Sequence, residues 1–303
     1  MAVKFHTIDE AAQGQRLDNY LLKHLKGVPK SHIYRVIRKG EVRVNKGRKK
    51  SDYKLKIGDV VRIPPIRTAE QTPTKVSDSL SQLLQNATLF EDKGLLVINK
   101  PSGLAVHGGS GINTGAIEAL RVLYNQPLEL VHRLDRATSG VLLIAKKRSV
   151  LKALHEQLTM HQMEKRYTAL VQHTWRKKRH TIDAPLVQNS RAVVVDNQGK
   201  PSVSHFQPLK NFDQADFSAS LVEVLIETGR MHQIRAHAKY AGHPLAGDEK
   251  YGDAEFNQQV QDKGLNRLFL HAHQLTFTNP SSGELQTIKA PLAEELQDFL
   301  ERL

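Results

Sequence analysis

The hydrophobic positions near the start of the chain first follow helical spacing and then strand spacing. Apolar side chains recur every three or four residues from Arg16 to Lys26, which predicts a helix with one apolar side. A second helix is predicted to begin at a Ser31 cap and to end at Gly40, with Ile33, Tyr34 and Ile37 on its apolar face. Alternation in EVRVN, and VVRI before two prolines, predict short strands. This segment is therefore a unit of two helices and a small sheet.

The pattern from Ala87 onward is longer and more varied. Apolar runs and alternation predict strands, and apolar positions three or four apart predict helices between them. The elements do not follow a regular βαβ rhythm, so we expect an α+β domain with a mixed, mainly antiparallel central sheet. The predicted helices are 114–123 and 149–161, and the predicted strands are 141–145, 165–172, 221–226 and 274–278.

The two patterned regions are separated by a segment rich in Thr, Ser, Gln and Pro. Its hydrophobic periodicity is weak, which is typical of a linker. The predicted organisation is a small α+β domain over residues 1–70, a linker over 71–86 and a larger α+β domain over 87–303.

Charge changes the interpretation of the first domain. The chain carries a net charge of +13, and residues 1–70 contribute 17 Lys and Arg against 7 Asp and Glu. A surplus concentrated in one small domain favours binding to a phosphate backbone over a merely solvated surface. On the second helix, Arg35, Arg38 and Lys39 lie off the apolar face and form a basic surface, the candidate for binding a phosphate backbone.

Composition excludes several classes of protein. The chain has no Cys, which excludes disulfides and thiolate metal sites and fits a reducing compartment. No signal-peptide pattern and no run of about 18 apolar residues occurs, so we expect a cytoplasmic protein without a membrane span. The histidine spacings do not match an H-E-x-x-H metal motif, and no G-x-x-x-x-G-K-[ST] phosphate loop occurs. We expect no metal and no cofactor.

The first candidate for chemistry is Asp135, in the stretch VHRLDRATSG just before an apolar strand. A carboxylate in this position is held at the edge of a sheet. The residues alone leave two alternatives open, because Asp135 could also cap the following turn or pair with Arg133 or Arg136.

The second candidate is Arg235, in the stretch ETGRMHQIRAHAKYAGHPLAGDEKYG. Thr228 and Gly229 are predicted to begin a helix that Gly242 ends, with Arg235 beside its apolar face. A partly buried guanidinium needs an anionic partner, and Asp135 is the candidate; an ordinary surface arginine is the alternative. A glycosidase would need a second carboxylate beside Asp135, and the nearest candidate, Asp248, lies in a Gly-rich turn.

These motifs together resemble known families. The segments RLDNYL, KGEVRVN and YKLKIGDVVRIP are similar to the S4 RNA-binding domain. The segments HRLDRATSG, KRYTALV, GRMHQIRAH and GHPLAGDEKYG occur in the order and spacing of the RluA-type pseudouridine synthases. The resemblance covers nearly the whole chain.

The resemblance implies the fold, the reaction and the site. It implies an isomerase that converts specific uridines of large-subunit (23S) ribosomal RNA to pseudouridine, acting as a monomer. The implied catalytic residues are Asp135, Tyr167 against the target base, and Arg235. The alternatives are the same chemistry on another RNA such as transfer RNA, and a non-catalytic ribosome-assembly factor. Tyr167 could also be an ordinary core tyrosine. The expected RNA contacts in this domain are His132, Arg133, Arg136, Arg230, His232 and Gln233.

Overall fold

The computed structural model describes residues 2–9, 12–25, 27–66, 76–108, 114–176, 178–190 and 192–303. The chain divides into two compact units, Met1–Pro73 and Thr74–Leu303. Part of the predicted linker, residues 71–75, lies outside the described residues. No helix in the described ranges is long and apolar enough to cross a membrane.

The first unit packs two helices on one face of a three-stranded sheet. The sheet order is β1-β3-β2, and both pairings are antiparallel. Side chains from both helices and from the strands form one apolar core, in which Leu21, Ile33 and Val61 are fully buried. The elements are β1 (Lys4–Thr7), α1 (Leu17–His24), α2 (Lys30–Arg38), β2 (Arg43–Val44) and β3 (Val60–Ile63).

Helix α2 confirms the predicted element but corrects two details. It begins at Lys30 after Pro29, and no side chain caps its first turn, so Ser31 is not the cap. Gly40 adopts a left-handed conformation just beyond the helix, as its role as a stop requires. Tyr34 is exposed, and its hydroxyl donates to Asp18 at 3.2 Å, because the core needs only Ile33, Val36 and Ile37 from this helix.

The second unit is built on a ten-stranded sheet that confirms the predicted mixed, mainly antiparallel topology. Its order is β4-β5-β7-β14-β8-β13-β12-β9, with β6 and β15 pairing to β7 and β14. The pairing of β7 with β14 is parallel, and its neighbours are antiparallel. The strands are β4 (Thr88–Glu91), β5 (Leu95–Lys100), β6 (Glu129–Leu130), β7 (Ser139–Ala145), β8 (Glu164–Gln172), β9 (His180–Asp183), β12 (Val203–Gln214), β13 (Phe217–Ile226), β14 (Leu270–Thr278) and β15 (Leu285–Lys289); β10 (Leu186–Gln188) and β11 (Val193–Val195) form a separate hairpin.

Helices pack around this sheet. Strand β7 is buried along its whole length, so it contributes to apolar clusters on both faces. The helices are α3 (Asp78–Asn86), α4 (Ala116–Tyr124), α5 (Arg148–Thr159), α6 (Gln233–Tyr240), α7 (Ala254–Asp262) and α8 (Glu294–Glu301).

The seam between β7 and β14 is unusually close. Gly140 pairs with Ala272 and has a φ of +113°. A Cβ added there would lie 2.2 Å from the Ala272 carbonyl oxygen, so only glycine allows the strands to approach. This fixes the strand that directly follows the Asp135 loop.

Two expectations about local structure are wrong. The segment assigned to the linker contains α3, because the Ser77 hydroxyl accepts from the Leu80 amide and Leu84 is buried in an apolar cluster of the second unit. The helix expected from Thr228 begins at Gln233 instead. His232 has a left-handed backbone with φ of 51°, which interrupts helical geometry at that point.

Candidate active site

Asp135 lies in the loop between β6 and β7, as the pattern predicted. Its side chain is 22% exposed and lines a cleft. Arg136 donates from Nε to the Gly103 carbonyl at 2.9 Å, and Arg133 is exposed. Asp135 does not form an ion pair with either arginine in the described residues. The other residues that line the cleft include Leu134, Tyr167, Ile226, His232, Arg235 and Leu270.

Arg235 is buried beside Asp135 but is held by a different carboxylate. Its Nε and Nη2 atoms donate to the two oxygens of Asp248, each at 2.7 Å. Its Nη1 atom lies 3.5 Å from Oδ2 of Asp135. The predicted contact between Arg235 and Asp135 is therefore present, but the planar guanidinium satisfies its best geometry with a second carboxylate, Asp248. Only the Nη1 atom of the guanidinium contacts Asp135.

Asp248 is a fixed anchor. Its side chain is fully buried, and its Oδ1 also accepts from the backbone amides of Lys250 and Tyr251 at 3.0 and 2.9 Å. Burial alone would raise the pKa of Asp248, but the hydrogen bonds and charge of Arg235 lower it below the ordinary value. The Gly-rich turn thus directs this carboxylate into the protein, where it orients the arginine.

His232 forms the other wall beside Asp135. Its Nδ1 lies 2.8 Å from the hydroxyl of Tyr251, which also accepts from the Val193 amide at 2.8 Å. The Val193 amide leaves the Tyr251 hydroxyl proton free to donate to Nδ1, and in that tautomer the proton of a neutral ring lies on Nε2, 3.6 Å from Oδ2 of Asp135. Burial lowers the pKa of His232, which favours this neutral form.

The carboxylate of Asp135 consequently faces two N–H groups without a short hydrogen bond to either. Both contacts, to Arg235 and to His232, are 3.5 Å or longer. A carboxylate held in this way keeps lone pairs available to a reacting atom. This arrangement suits nucleophilic or base chemistry better than a purely structural role.

Tyr167 lies on β8, which confirms the strand predicted over 165–172. Its ring packs between two apolar clusters, one with Leu270 and one with Leu134. Burial first, and the charge of Asp135 second, raise the pKa of its phenol above the ordinary value. The hydroxyl is therefore protonated at neutral pH, and the ring forms an aromatic surface in the cleft.

A buried lysine supports the Asp135 loop from below. Lys100 is fully buried, and its Nζ donates to the carbonyls of Pro101, Leu104 and Arg136 at 2.7, 2.9 and 3.2 Å. Ser102 adds a bond from its hydroxyl to the Ala137 carbonyl at 2.8 Å. Burial lowers the pKa of Lys100 to about 7, whereas three carbonyl acceptors are what a protonated ammonium requires. The hydrogen bonds therefore favour an ammonium, which ties two loops together.

Sequence reasoning missed Lys100, Asp248 and Tyr251 as parts of this site. The signal for Lys100 was a cationic residue at the end of the apolar run LLVIN, directly before Pro-Ser-Gly. The signal for Asp248 and Tyr251 was their place within GDEKYG, where they lie three residues apart and shortly after the helix that carries Arg235.

The expected RNA contacts divide into exposed and internal groups. Gln233 is 3% exposed, and its amide is fully used by Thr228, Arg230, Val203 and Ser204, so it is not available to RNA. His132 accepts from the Leu143 amide at 3.1 Å, and burial lowers its pKa to about 4, which makes it a neutral support of β7. The assignment of Gln233 is wrong because spacing does not show where a side chain points, whereas the half-buried His132 stays a predicted contact. Exposed positions are Arg133, Arg136 and Arg230 near the cleft and Arg35, Arg38 and Lys39 on the first unit.

Within the described residues, no cluster of three or more His, Asp or Glu side chains has the arrangement required to hold a metal ion.

Comparisons with known proteins agree with this geometry. A family model described as RNA pseudouridylate synthase matches residues 94–240, and an S4 domain model matches residues 15–61. The chain is 53% identical to ribosomal large subunit pseudouridine synthase C of Haemophilus influenzae, over 100% of this chain and 95% of that protein. It is also 53% identical to the protein of the same name from Escherichia coli K12, over 98% and 95%.

A solved structure supports the same assignment. The human RNA pseudouridylate synthase domain containing 4 is 27% identical, with a TM-score of 0.62 over 74% of this chain and 95% of that chain. The matched segment contains Asp135, Tyr167 and Arg235. The chain therefore belongs to the RNA pseudouridylate synthase family and carries an S4 domain before its synthase domain.

Proposed function

We propose that this chain converts uridines of large-subunit ribosomal RNA to pseudouridine, with Asp135 as the catalytic carboxylate. The observation that carries the proposal is the loosely bonded carboxylate of Asp135, which faces Tyr167, His232 and Arg235 in one cleft. The relatives named above as synthases of the large ribosomal subunit support the choice of RNA.

The chemistry explains why one carboxylate is central. Uridine joins C1′ of the ribose to N1 of uracil, and pseudouridine joins it to C5. The enzyme must break the C1′–N1 bond, turn the base, form the C1′–C5 bond and remove the proton from C5, while N1 gains one. Asp135 supplies the group that attacks the nucleoside or takes a ribose proton at the first stage.

Arg235 and His232 act on Asp135 in this proposal. Arg235 places a positive charge 3.5 Å from the carboxylate and offsets the cost of an anion in a half-buried cleft. His232 presents a neutral N–H from the other side. Asp248 and Tyr251 keep these two groups in position, since Tyr251 both bonds His232 and lies 4.8 Å under the Arg235 guanidinium.

Tyr167 is the surface for the displaced base. A uridine in structured RNA must leave its stack to reach Asp135, which costs a few kcal/mol, and stacking on an aromatic ring offsets part of that cost. Since its phenol is protonated, Tyr167 can accept the C5 proton only if it passes its own proton on. The negative charge of Asp135 contributes to the raised pKa of the Tyr167 phenol.

The remaining charged residues bind the RNA outside the reacting nucleotide. Arg133 and Arg230 line the cleft, and Arg136 is exposed on the same loop as Asp135. On the first unit, Arg35, Arg38 and Lys39 contact phosphates of the substrate. The enzyme acts in the cytoplasm as a monomer and uses no cofactor.

Two other functions are separated by experiment. The measurement is a pseudouridine map of total RNA from cells with and without the gene. If the same chemistry acted on transfer RNA, the map would change in transfer RNA and not in large-subunit RNA. A non-catalytic assembly factor would change neither. We expect loss of pseudouridine from large-subunit ribosomal RNA alone.

The role of Asp135 is tested by Asp135→Asn. The amide is nearly isosteric and cannot act as nucleophile or base, so pseudouridine formation on an unmodified large-subunit transcript should fall below detection. Folding and RNA affinity should stay close to wild type, because the wild-type carboxylate makes no short hydrogen bond to Arg235 or His232. Turnover near the wild-type rate by a folded Asp135→Asn enzyme would refute the proposed mechanism.

A further inference from the structure

The outer face of the sheet in the first unit carries an exposed aromatic ring among cations. Phe5 on β1 is 64% exposed. It pairs in register with Arg62 on β3, and Arg62 pairs with Arg43 on β2. One row of side chains across the three strands therefore consists of an aromatic ring followed by two guanidinium groups.

This face is separate from the basic surface of α2. The alternate residues of the same strands, Val44, Val61 and Ile63, are buried in the core under the two helices. Because side chains alternate across a sheet, Phe5, Arg62 and Arg43 lie on the side away from those helices. The row is an additional surface of this unit.

The two arginines are oriented but keep their charge uncompensated. Arg62 donates from Nη1 to the Glu41 carbonyl at 2.7 Å, and Arg43 donates to the carbonyls of Gly40 and Lys46 at 3.2 Å each. Neither has a carboxylate partner in the part of the chain that the structure describes. Asp59, next to Val60, is buried and accepts from Asn45 and Tyr53.

A hollow lies beside the ring. It is lined by Phe5, Asn45, Lys46, Val60 and Arg62. Neighbouring strands are about 4.8 Å apart, so the ring and both guanidiniums fall within reach of one nucleotide and its flanking phosphates. Unpaired bases stack on aromatic rings that lie beside cations.

We propose that this surface, the Phe5 face, binds an unpaired nucleotide of the substrate RNA, with its base stacked on Phe5 and its phosphates on Arg62 and Arg43. The charge favours RNA over a protein partner, since residues 1–70 carry most of the excess of Lys and Arg. The proposal rests on RNA as the substrate of the proposed function. It adds a contact outside the cleft of Asp135.

Binding of a short single-stranded RNA oligonucleotide at several salt concentrations tests this assignment. Phe5→Ala should raise Kd at least about fivefold and leave the log-log salt slope unchanged, because stacking releases no counterions. Arg62→Gln should lower the slope by about 0.7, the value for one phosphate of a single strand. Phe5→Tyr should retain affinity. Leu285→Ala, which truncates a side chain 74% exposed on β15, should have no effect.

Fluorescence gives a second measurement that does not depend on affinity. In Phe5→Trp, oligonucleotide should quench the new indole, whereas the natural Trp175 is 2% exposed and should not respond in the wild type. An unchanged Kd in Phe5→Ala, or an unquenched indole, would overturn the proposal. A lower Tm of Phe5→Ala with normal RNA binding would instead assign the ring to protein packing and also overturn it.

The result can be distinguished from failure of the catalytic proposal. At saturating large-subunit transcript, Phe5→Ala should form pseudouridine at the wild-type kcat with a raised KM, since the Asp135 cleft is intact. A loss of kcat in this variant would contradict a role confined to binding. Asp135→Asn should show the opposite behaviour, with normal binding and no product.

Discussion

Arg235 and Asp248 form a buried pair with two parallel hydrogen bonds of 2.7 Å each. This pair leaves only the Nη1 edge of the guanidinium for Asp135, at 3.5 Å. The catalytic carboxylate therefore receives a cation whose position is set elsewhere. A cation bonded fully to Asp135 would occupy the lone pairs that the reaction needs.

The pair predicts a large effect of Asp248→Asn. Removal of one partner leaves Arg235 buried without its anion, so the free energy of unfolding should fall by about 3–5 kcal/mol. A displaced guanidinium should also lower kcat by roughly a hundredfold. Urea unfolding and a pseudouridine assay measure both effects. Glu129→Gln, in the exposed pair with Arg148 at 3.3 Å, should change the unfolding free energy by less than about 1 kcal/mol. Equal effects of the two variants would contradict the special role of Asp248.

Tyr167→Phe separates the ring from the hydroxyl. The ring stays in the cleft, so RNA affinity should be unchanged, while kcat should fall by about a hundredfold or more if the hydroxyl transfers a proton. Because burial raises the pKa of the phenol, the wild-type rate should not rise with ionisation of Tyr167 between pH 7 and 9. Rate profiles of both enzymes measure this. Wild-type kcat in Tyr167→Phe would restrict Tyr167 to packing.

Much of this site could be predicted from the sequence. The loop of Asp135 before a buried strand and the burial of Arg235 both follow from hydrophobic spacing and are confirmed. The contact of Arg235 with Asp135 was predicted and is present, but its shorter bonds to Asp248 were not predicted. Periodicity shows which side of a helix a residue occupies and not which side chain approaches it from another segment. Asp248 is brought in by amides of its own turn, which bind its carboxylate.

Other differences have the same physical origin. The sequence shows that Lys100 is a cationic residue. Only the folded chain shows that three carbonyls from two loops surround its ammonium. Gln233 was expected to contact RNA, but its amide is used inside the protein. For polar residues, the direction of a side chain depends on partners that are distant in sequence.

The basic surface of α2 predicts a change in the salt dependence of RNA binding. Each cation that neutralises a phosphate of a double-helical backbone contributes about 0.9 to the log-log slope. Replacement of Arg35, Arg38 and Lys39 by Gln should therefore reduce the slope by that amount for every phosphate these side chains bind. Lysine at the two arginine positions and arginine at 39 keep the charge and should keep the slope. Filter binding at several salt concentrations measures it. An unchanged slope in the neutralised variant would show that this surface does not bind the substrate.

His271 predicts acid sensitivity of the fold. It is fully buried, bonds Ser139 at 2.9 Å, and burial lowers its pKa to about 4. Between pH 4 and its ordinary pKa of 6.5 the unfolded chain binds more protons, so stability must fall as the pH decreases through this range. The loss at pH 5 relative to pH 8 should be roughly 2 kcal/mol from this residue.

The comparison of wild type with His271→Gln measures that contribution. The variant loses stability at pH 8 because its contact with Ser139 is altered, but urea unfolding should show a flatter dependence between pH 5 and 8. A dependence as steep as that of the wild type would show that other groups cause the acid sensitivity.

The position of β14 in the sheet has a consequence for the time at which the enzyme becomes active. Strand β14 lies between β7, which follows Asp135, and β8, which carries Tyr167, yet its residues Leu270–Thr278 come long after both in the chain. The two halves of the cleft are therefore joined through a strand that the ribosome synthesises late. The first unit has a core of its own and can fold while synthesis continues. A nascent chain should thus be able to hold RNA before it can modify a single uridine.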